Sequence, residues 1–286
     1  MNGKILVTGA SGQLGALVVD SLLAKVPADQ VVALVRRPEA AAPLEAKGVE
    51  VRFGSYGDAP ALAAAMQGIA RVLLISGSEV GNDRVGQHKS VIDAAKDAGV
   101  ELVAYTSILR ADDSGLWLAV DHRGTEKLLG ASGLPVALLR NGWYNENLTG
   151  ALGQSIESGA IIGASGSGRY SPASRADYAE AAAAVLVSDQ PAGTYELAGS
   201  ESFDMAEFAA EVARVSGKPV AYADMSEAEL KEIYLSAGLP EVVAHMLADS
   251  SAHAANGDLE ASGATLEGLI GRKSTPWQDS VKAALA

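Results

Sequence analysis

The sequence predicts an α/β fold, a doubly wound parallel sheet with a smaller C-terminal α/β lobe. An apolar strand, a glycine-rich turn and a helix follow one another at the N-terminus. Six short apolar segments, each followed by a stretch of helix length, then run along the first half of the chain, an order typical of parallel sheets. Hydrophobic residues make up 48% of the 286 residues but aromatic residues only 5%, which suits parallel strands covered by alanine-rich helices.

Composition and charge exclude several classes of function. The absence of cysteine excludes disulfides, thiolate metal sites and cysteine nucleophiles. The net charge of −13 disfavours binding to nucleic acids or to anionic membranes. No leader pattern and no apolar run of membrane-spanning length is found, so we expect a cytoplasmic protein without a membrane or nucleic-acid partner. The four histidines show no zinc-ligand spacing, so no metal site is predicted.

The N-terminal strand, turn and helix predict a phosphate-binding site. Lys4 to Val7 are strand-like, and helical character begins near Gly12. Exposed N–H groups and the positive end of a helix attract a pyrophosphate. A glycine triplet alone is also typical of a flexible turn, so its context decides. The residues predicted to form the cradle are Gly9, Ala10, Ser11, Gly12, Gln13, Leu14 and Gly15.

The second strand, Val31 to Val35, ends in an arginine pair that indicates the cofactor. NAD-binding Rossmann folds hold an acidic residue there for the ribose hydroxyls, whereas this chain has Arg36 and Arg37. Guanidinium groups pair with a 2′-phosphate. The alternative is that the arginines only decorate a loop. The placement favours NADPH, with Arg36 as the predicted contact.

Four more strands are predicted at 49–53, 72–75, 102–105 and 136–139. Ligands of such sheets lie at the carboxyl ends of the strands, near the reversal of strand order. Further cofactor contacts are therefore expected at Ser76, Gly77, Ser78, Thr106, Ser107, Asn141, Gly142 and Trp143. Two residues have two possible roles each. Asp58 either caps a helix or approaches the adenine, and His88 either packs in the interior or contacts the cofactor.

The regular alternation weakens beyond about residue 145. We expect a Rossmann domain at 1–145 and a substrate-binding lobe at 146–286, with a strand near 194–198 returning to the main sheet. Helices are expected at 177–187, 203–215, 228–235 and 242–247, and short strands at 161–162 and 220–222. Residues 257–271 show no readable pattern.

Catalytic signals are sparse. None of the eight tyrosines is followed four residues later by lysine, the pair that supplies a proton in many short-chain dehydrogenases. His122 and Glu126, four residues apart on a helix, are a conceivable acid–base couple. The alternative is a surface histidine beside a glutamate. The glycine turn lacks a Walker lysine, and the chain has no Gly-x-Ser-x-Gly elbow.

Several runs together resemble the NmrA-like atypical short-chain dehydrogenases, and most of all their branch of bacterial type 2 NAD(P)H:quinone oxidoreductases. The most specific run is Arg140-Asn141-Gly142-Trp143-Tyr144-Asn145-Glu146-Asn147. The others are Val7–Gly15, Tyr105–Ser107, His122–Leu129, Ser174–Ala179 and Tyr195–Gly199.

The resemblance implies NADPH-dependent reduction of a quinone by direct hydride transfer, without flavin or metal, in a cleft between domain and lobe. Asn141 would donate to the nicotinamide amide or to a quinone oxygen. Trp143 and Tyr144 would form an aromatic wall, although Trp143 alone could equally be ordinary packing. Members of the family lack the tyrosine–lysine pair, as this chain does. A quinone tolerates this because its reduced oxygen is far less basic than an alkoxide.

Two other functions stay open on the sequence. One is an NADP(H)-binding redox sensor of the NmrA type without turnover, which the missing tyrosine–lysine pair fits equally well. The other is reduction of a different conjugated or carbonyl substrate with His122 as the acid. A monomer and a homodimer are both compatible with the sequence.

Overall fold

A computed structural model of the chain describes residues 3–79 and 83–286. No helix in these two ranges is long and apolar enough to cross a membrane. The described residues form eleven strands. They are β1 (Lys4–Val7), β2 (Val31–Val35), β3 (Glu50–Phe53), β4 (Ile69–Leu74), β5 (Leu102–Ile108), β6 (Val136–Asn141), β7 (Ala160–Gly163), β8 (Arg169–Tyr170), β9 (Gly193–Leu197), β10 (Phe203–Asp204) and β11 (Ala221–Asp224).

Thirteen α-helices occur in the same residues. They are α1 (Gln13–Leu23), α2 (Ala42–Glu45), α3 (Ala59–Ala65), α4 (Arg84–Asp97), α5 (Trp117–Ser132), α6 (Asn145–Thr149), α7 (Leu152–Ser158), α8 (Arg175–Val187), α9 (Met205–Ser216), α10 (Glu227–Ser236), α11 (Glu241–Ala254), α12 (Ala264–Ile270) and α13 (Trp277–Leu285). Two 3₁₀ turns, Ala28–Gln30 and Pro38–Ala40, flank β2.

The main sheet has seven strands in the order β3-β2-β1-β4-β5-β6-β9. In this order, the four neighbouring pairs β3–β2, β2–β1, β1–β4 and β4–β5 are all parallel. The order runs outwards in both directions from β1 and β4, which is the reversal that defines a doubly wound sheet. The predicted Rossmann-type α/β fold is therefore confirmed, and β9 lies beside β6 at one edge.

Alternation along the strands buries both faces of this sheet. Leu6, Val72 and Tyr105 point to one face and join a core with residues of α3 and α4. Ile5 and Leu73 alternate with them and are also fully buried. Strands covered on both sides read as continuous apolar runs, and full burial of each such side chain contributes about 1.5–3 kcal/mol.

The chain divides into two compact units. The first comprises Met1–Ile108, Asp121–Arg140 and Arg175–Tyr195, and the second comprises Leu109–Val120, Asn141–Ser174 and Glu196–Ala286. The first unit contains the main sheet apart from the last residues of β6 and β9. The domain boundary expected between residues 145 and 146 stays a prediction. A division into compact units does not show which segments of the chain fold independently.

Several boundaries differ from the expectation for local reasons. Phe203 and Asp204 form β10 instead of starting a helix, because Asp204 caps α9 and accepts the amide of Glu207 at 2.8 Å. β5 continues through Thr106 and Ser107 to Ile108, whereas the sequence predicts its end at Tyr105. Asp58 caps α3 by accepting the amide of Ala61 at 3.1 Å, which is the commoner of its two expected roles.

Candidate cofactor site

The glycine turn between β1 and α1 has a backbone that side chains would not permit. Gly9 has a φ of +58°, in the left-handed region that favours glycine. A Cβ at Gly15 would lie 2.2 Å from the carbonyl oxygen of Gly9 and 2.8 Å from the Cα of Ala10. The turn therefore folds back tightly onto the first turn of α1.

This arrangement leaves the start of α1 open to an anion. Gly12 is the N-cap residue and has no side chain to occupy the first amides of the helix. The amide of Gly12 donates to Gly9 at 2.9 Å, and α1 has no acidic residue in its first turn. Amides of Gln13 and its neighbours at a positive helix end suit a phosphate group.

We expect Gly15→Ala to weaken NADPH binding by more than about tenfold and to lower the free energy of unfolding by about 1–3 kcal/mol, since the contact is with backbone that must move. Gly130→Ala in α5 is the matched control. Its Cβ meets nothing within 4 Å, so the change should raise stability by up to about 1 kcal/mol and leave binding unchanged. Equal NADPH affinity in the two variants, measured by fluorescence titration, would contradict this role of the turn.

A cavity of about 500 Å³ opens over the turn within the first unit. Its lining includes most of the predicted cofactor residues. They are Gly9, Ser11, Gly12, Gln13, Leu14, Gly15, Arg36, Ser76, Gly77 and Ser78. Ala10, Thr106 and Ser107 are buried residues of the same unit and are not part of that lining. The cavity has the size of a small-molecule site.

The arginine pair lies at the rim of this cavity. Both Arg36 and Arg37 line it, with side chains 66% and 76% exposed. The Nη1 of Arg36 lies 2.9 Å from Oε1 of Glu79, which also lines the cavity. The Nε of Arg37 lies 3.5 Å from Oε1 of Glu39. Ion pairs as exposed as these are weak, so both guanidinium groups can turn to a phosphate.

A hydrogen-bonded tyrosine joins three segments at the cavity. Tyr56 donates its hydroxyl to the carbonyl of Ile75 at 2.6 Å and lies 2.6 Å from the hydroxyl of Thr8. Thr8 in turn accepts the amide of Ile75 at 3.0 Å. Burial raises the pKa of Tyr56 to about 12, so it stays a neutral donor. The ends of β1 and β4 are thereby fixed to the loop after β3.

His88 forms a hydrogen bond with the backbone of Gly77, a residue that lines the cavity. Its Nε2 accepts the amide of Gly77 at 2.9 Å, so its proton sits on Nδ1, which lies 2.8 Å from the hydroxyl of Thr125. The ring is fully buried, which matches the packed reading of this residue. Beside it, Thr106 accepts the amide of Ser76 at 2.9 Å. The two side chains position the loop after β4.

Stability should depend on pH through His88. Burial first, and then the charge of Arg84, lowers the pKa of His88 to about 4. The unfolded chain takes up this proton below about pH 6.5, whereas the folded protein does so only near pH 4. Stability is therefore full at pH 7 and falls as the pH drops through this window. We expect His88 to account for a loss of about 2 kcal/mol between pH 7 and pH 5.

Urea unfolding at both pH values tests this expectation. His88→Gln is the reference, because glutamine does not titrate and its carbonyl oxygen can accept the amide of Gly77. The wild-type protein should lose more stability than the variant by about that amount. An equal loss in both proteins would show that His88 contributes nothing to the pH dependence.

The expected pair of His122 and Glu126 is not formed as predicted. His122 is only 6% exposed, so the reading as a surface histidine is wrong. Its Nδ1 lies 2.8 Å from the hydroxyl of Tyr105, and burial, followed by the charge of Arg84, holds its pKa well below the usual range. His122 is therefore neutral at pH 7, which makes it a poor general acid.

Glu126 belongs to a different network. Arg140 donates from Nε and Nη2 to its two carboxylate oxygens at 3.0 and 2.6 Å, and Ser107 donates to Oε1 at 2.5 Å. The side chains of Arg140 and Glu126 are each 8% exposed. This buried ion pair links α5 to the carboxyl ends of β5 and β6. The hydroxyl proton of Ser107 is therefore used in the hydrogen bond to Glu126.

The remaining predicted residues form a short segment of the second unit. Asn141 is 5% exposed, and its Nδ2 donates to the hydroxyl of Tyr144 at 3.4 Å. The Oδ1 of Asn141 is buried and has no hydrogen-bond partner within residues 3–79 and 83–286. The amide of Gly142 already donates to Leu197 at 2.8 Å, and the carbonyl of Trp143 accepts the amide of Ala173 at 3.2 Å. This oxygen is therefore free to accept a hydrogen bond from a bound molecule or from water.

Several other residues that line the cavity were not predicted from the sequence. They are Leu34, Val35, Gly54, Ser55, Tyr56, Gly57, Ile75, Glu79 and Gln87. The loop 54–57 follows β3. Because ligands of such sheets bind at the carboxyl ends of the strands, applying this rule to β3 as well would have predicted the loop. Glu79 and Gln87 carry no such signal. Among the described residues, no group of three or more histidine, aspartate or glutamate side chains is placed to hold a metal ion.

Comparison with known proteins agrees with this geometry. Residues 9–189 match the model of a family described as NAD(P)H-binding. Over 278 residues, covering 97% of each chain, the sequence is 49% identical to quinone oxidoreductase 2 of Escherichia coli.

Solved structures show the same similarity. The crystal structure of an NADPH-dependent quinone oxidoreductase from E. coli in complex with NADPH superposes with a TM-score of 0.96 at 48% identity, covering 99% of this chain and 100% of that one. The triphenylmethane reductase of Citrobacter sp. in complex with NADP(H) gives 0.93 at 38% identity, covering 98% of this chain and 100% of that one.

Proposed function

Because this chain belongs to the NAD(P)H-binding family, we propose that it is an NADPH-dependent quinone reductase that transfers hydride directly, without flavin or metal. The observation that carries the proposal is the cavity in which an open helix terminus and an arginine pair occur together. Similarity to a quinone oxidoreductase over 97% of the chain supports the choice of acceptor.

The residues of the cavity fit NADPH. The amides at the start of α1 would hold the pyrophosphate, and Arg36 would hold the 2′-phosphate. Leu34 and Ile75 offer apolar surface for the adenine ring. The side chains of Ser76 and Ser78 supply hydroxyl groups along the same wall. Each part of the cofactor that carries a charge would therefore meet a group of suitable polarity.

Bound NADPH would supply the hydride from its nicotinamide ring. The chain's own part is to orient the reactants and to stabilise the oxygen that gains charge. Asn141 is our candidate for orienting the nicotinamide, because its buried Oδ1 can accept a hydrogen bond from the carboxamide N–H, whereas its Nδ2 is the atom that could donate to a quinone oxygen. Tyr144 lies beside it and holds its Nδ2.

The Tyr105–His122 pair offers no strong general acid, which fits a quinone better than a ketone. Burial raises the pKa of Tyr105 well above its usual value and lowers that of His122, so at pH 7 the phenol is protonated and the imidazole is neutral. A reduced quinone oxygen needs only hydrogen-bond donors and solvent protons. A neutral His122 also disfavours a carbonyl reductase that uses this residue as its acid.

Steady-state oxidation of NADPH against a panel of simple benzoquinones and naphthoquinones tests the proposal. We expect turnover with NADPH and much weaker turnover with NADH. Tight NADPH binding without turnover across the panel would reject the enzyme and establish the sensor instead. Reduction of simple ketones but not of quinones would point to the carbonyl reductase.

A further inference from the structure

Glu79 brings a carboxylate to the part of the cavity where the 2′-phosphate of NADPH is proposed to bind. Its Oε1 lies 2.9 Å from Nη1 of Arg36, and both residues line the cavity. The side chains of Arg36 and Glu79 are 66% and 44% exposed. An exposed pair of this kind contributes less than about 1 kcal/mol, so it restrains Arg36 only weakly.

The same carboxylate acts oppositely on the two nicotinamide cofactors. A 2′-phosphate that pairs with Arg36 comes near Glu79, and two unit charges 4 Å apart repel by about 1 kcal/mol even in water. A phosphate monoester carries close to two charges, which adds to the repulsion. In NADH a hydroxyl group takes the place of the phosphate. A carboxylate accepts a hydrogen bond from such a ribose hydroxyl, as the acidic residue of NAD-binding folds does.

We propose that Glu79 is a specificity-determining residue, which weakens the binding of NADPH and accepts a hydrogen bond from the ribose of NADH. The acidic group that NAD-binding folds carry after their second strand is supplied here after β4, beside Arg36. Glu79 thereby moderates the preference that Arg36 and Arg37 create. The inference rests on the proposed function, because it places NADPH in this cavity.

The test compares dissociation constants of NADPH and NADH for the wild-type chain and for Glu79→Gln, measured by fluorescence titration at low salt. We expect NADPH to bind the variant about fivefold more tightly, and NADH to bind it equally or more weakly. At high salt the gain with NADPH should shrink, because screening weakens the repulsion. Glu79→Ala should shift NADPH binding in the same direction.

Glu39→Gln is the matched control. Glu39 also pairs with a cavity arginine, Arg37 at 3.5 Å, but it is not part of the cavity lining. The change removes the same charge and should alter either dissociation constant by less than about twofold.

Three outcomes would overturn the inference. Unchanged NADPH affinity in Glu79→Gln would show that the carboxylate plays no part. Weaker NADPH binding would show that Glu79 orders Arg36 for the phosphate. Equal tightening of both cofactors would reveal a general charge effect without specificity. A wild-type protein that binds neither cofactor would instead contradict the proposed function itself, and the inference with it.

Discussion

Replacing Glu126 with alanine is expected to lower the free energy of unfolding by about 3–5 kcal/mol, the largest effect of any substitution considered for this protein. The carboxylate receives three hydrogen bonds, two from Arg140 and one from Ser107. Both members of the ion pair are 8% exposed, so the variant leaves a guanidinium charge in a buried place. Urea unfolding at pH 7 measures the loss.

Two further variants make this prediction specific. Asp93→Asn removes a carboxylate from the exposed pair with Lys89, in which both side chains are 54% exposed, and should lower stability by less than about 0.5 kcal/mol. The double variant Glu126→Met with Arg140→Met should recover much of the loss, because it also removes the buried charge. A single Glu126→Ala variant as stable as the Asp93→Asn protein would contradict the role of the pair.

Reversing the charge of Arg36 is expected to have the largest effect on the cofactor. Arg36→Asp should weaken NADPH by about 1.5–3 kcal/mol, roughly ten- to 150-fold, since a charged phosphate contact is lost. NADH lacks the phosphate and should bind with little change. Titration of the two cofactors against the wild-type and variant proteins measures the difference.

Lys47→Asp controls for the change in net charge. Lys47 belongs to the same unit and does not line the cavity, so this variant should leave both affinities unchanged. Arg37→Asp decides between the two arginines. If it weakens NADPH more than Arg36→Asp does, the 2′-phosphate contact belongs to Arg37.

The predictable part of the site is the part that local sequence encodes. Gly9, Gly15 and Arg36 each follow directly from their place after a strand or in a turn, and all three line the cavity. Backbone conformation and helix polarity are decided within a few residues, so these positions can be found without knowledge of the fold. The class of fold, a doubly wound parallel sheet, follows from the alternation of strands and helices.

The residues that the sequence misplaced depend on partners far along the chain. His122 and Glu126 look like an exposed pair, because helical spacing is visible in sequence and burial against a strand is not. Their observed partners, Tyr105 and Arg140, come from β5 and β6. Glu79 likewise acquires its meaning only when the sheet brings the loop after β4 near Arg36. Such pairings become visible only with the register of the folded sheet.

We propose above that this chain, unaided, passes a hydride from NADPH to a quinone. The direct test mixes one equivalent of NADPH, bound to protein freed of flavin and treated with a chelator, with 1,4-benzoquinone in a stopped-flow instrument. We expect a rapid loss of NADPH absorbance in a single turnover and stoichiometric formation of hydroquinone. NADPH that stays reduced at the rate seen without protein, or oxidation only after flavin is added, would contradict it.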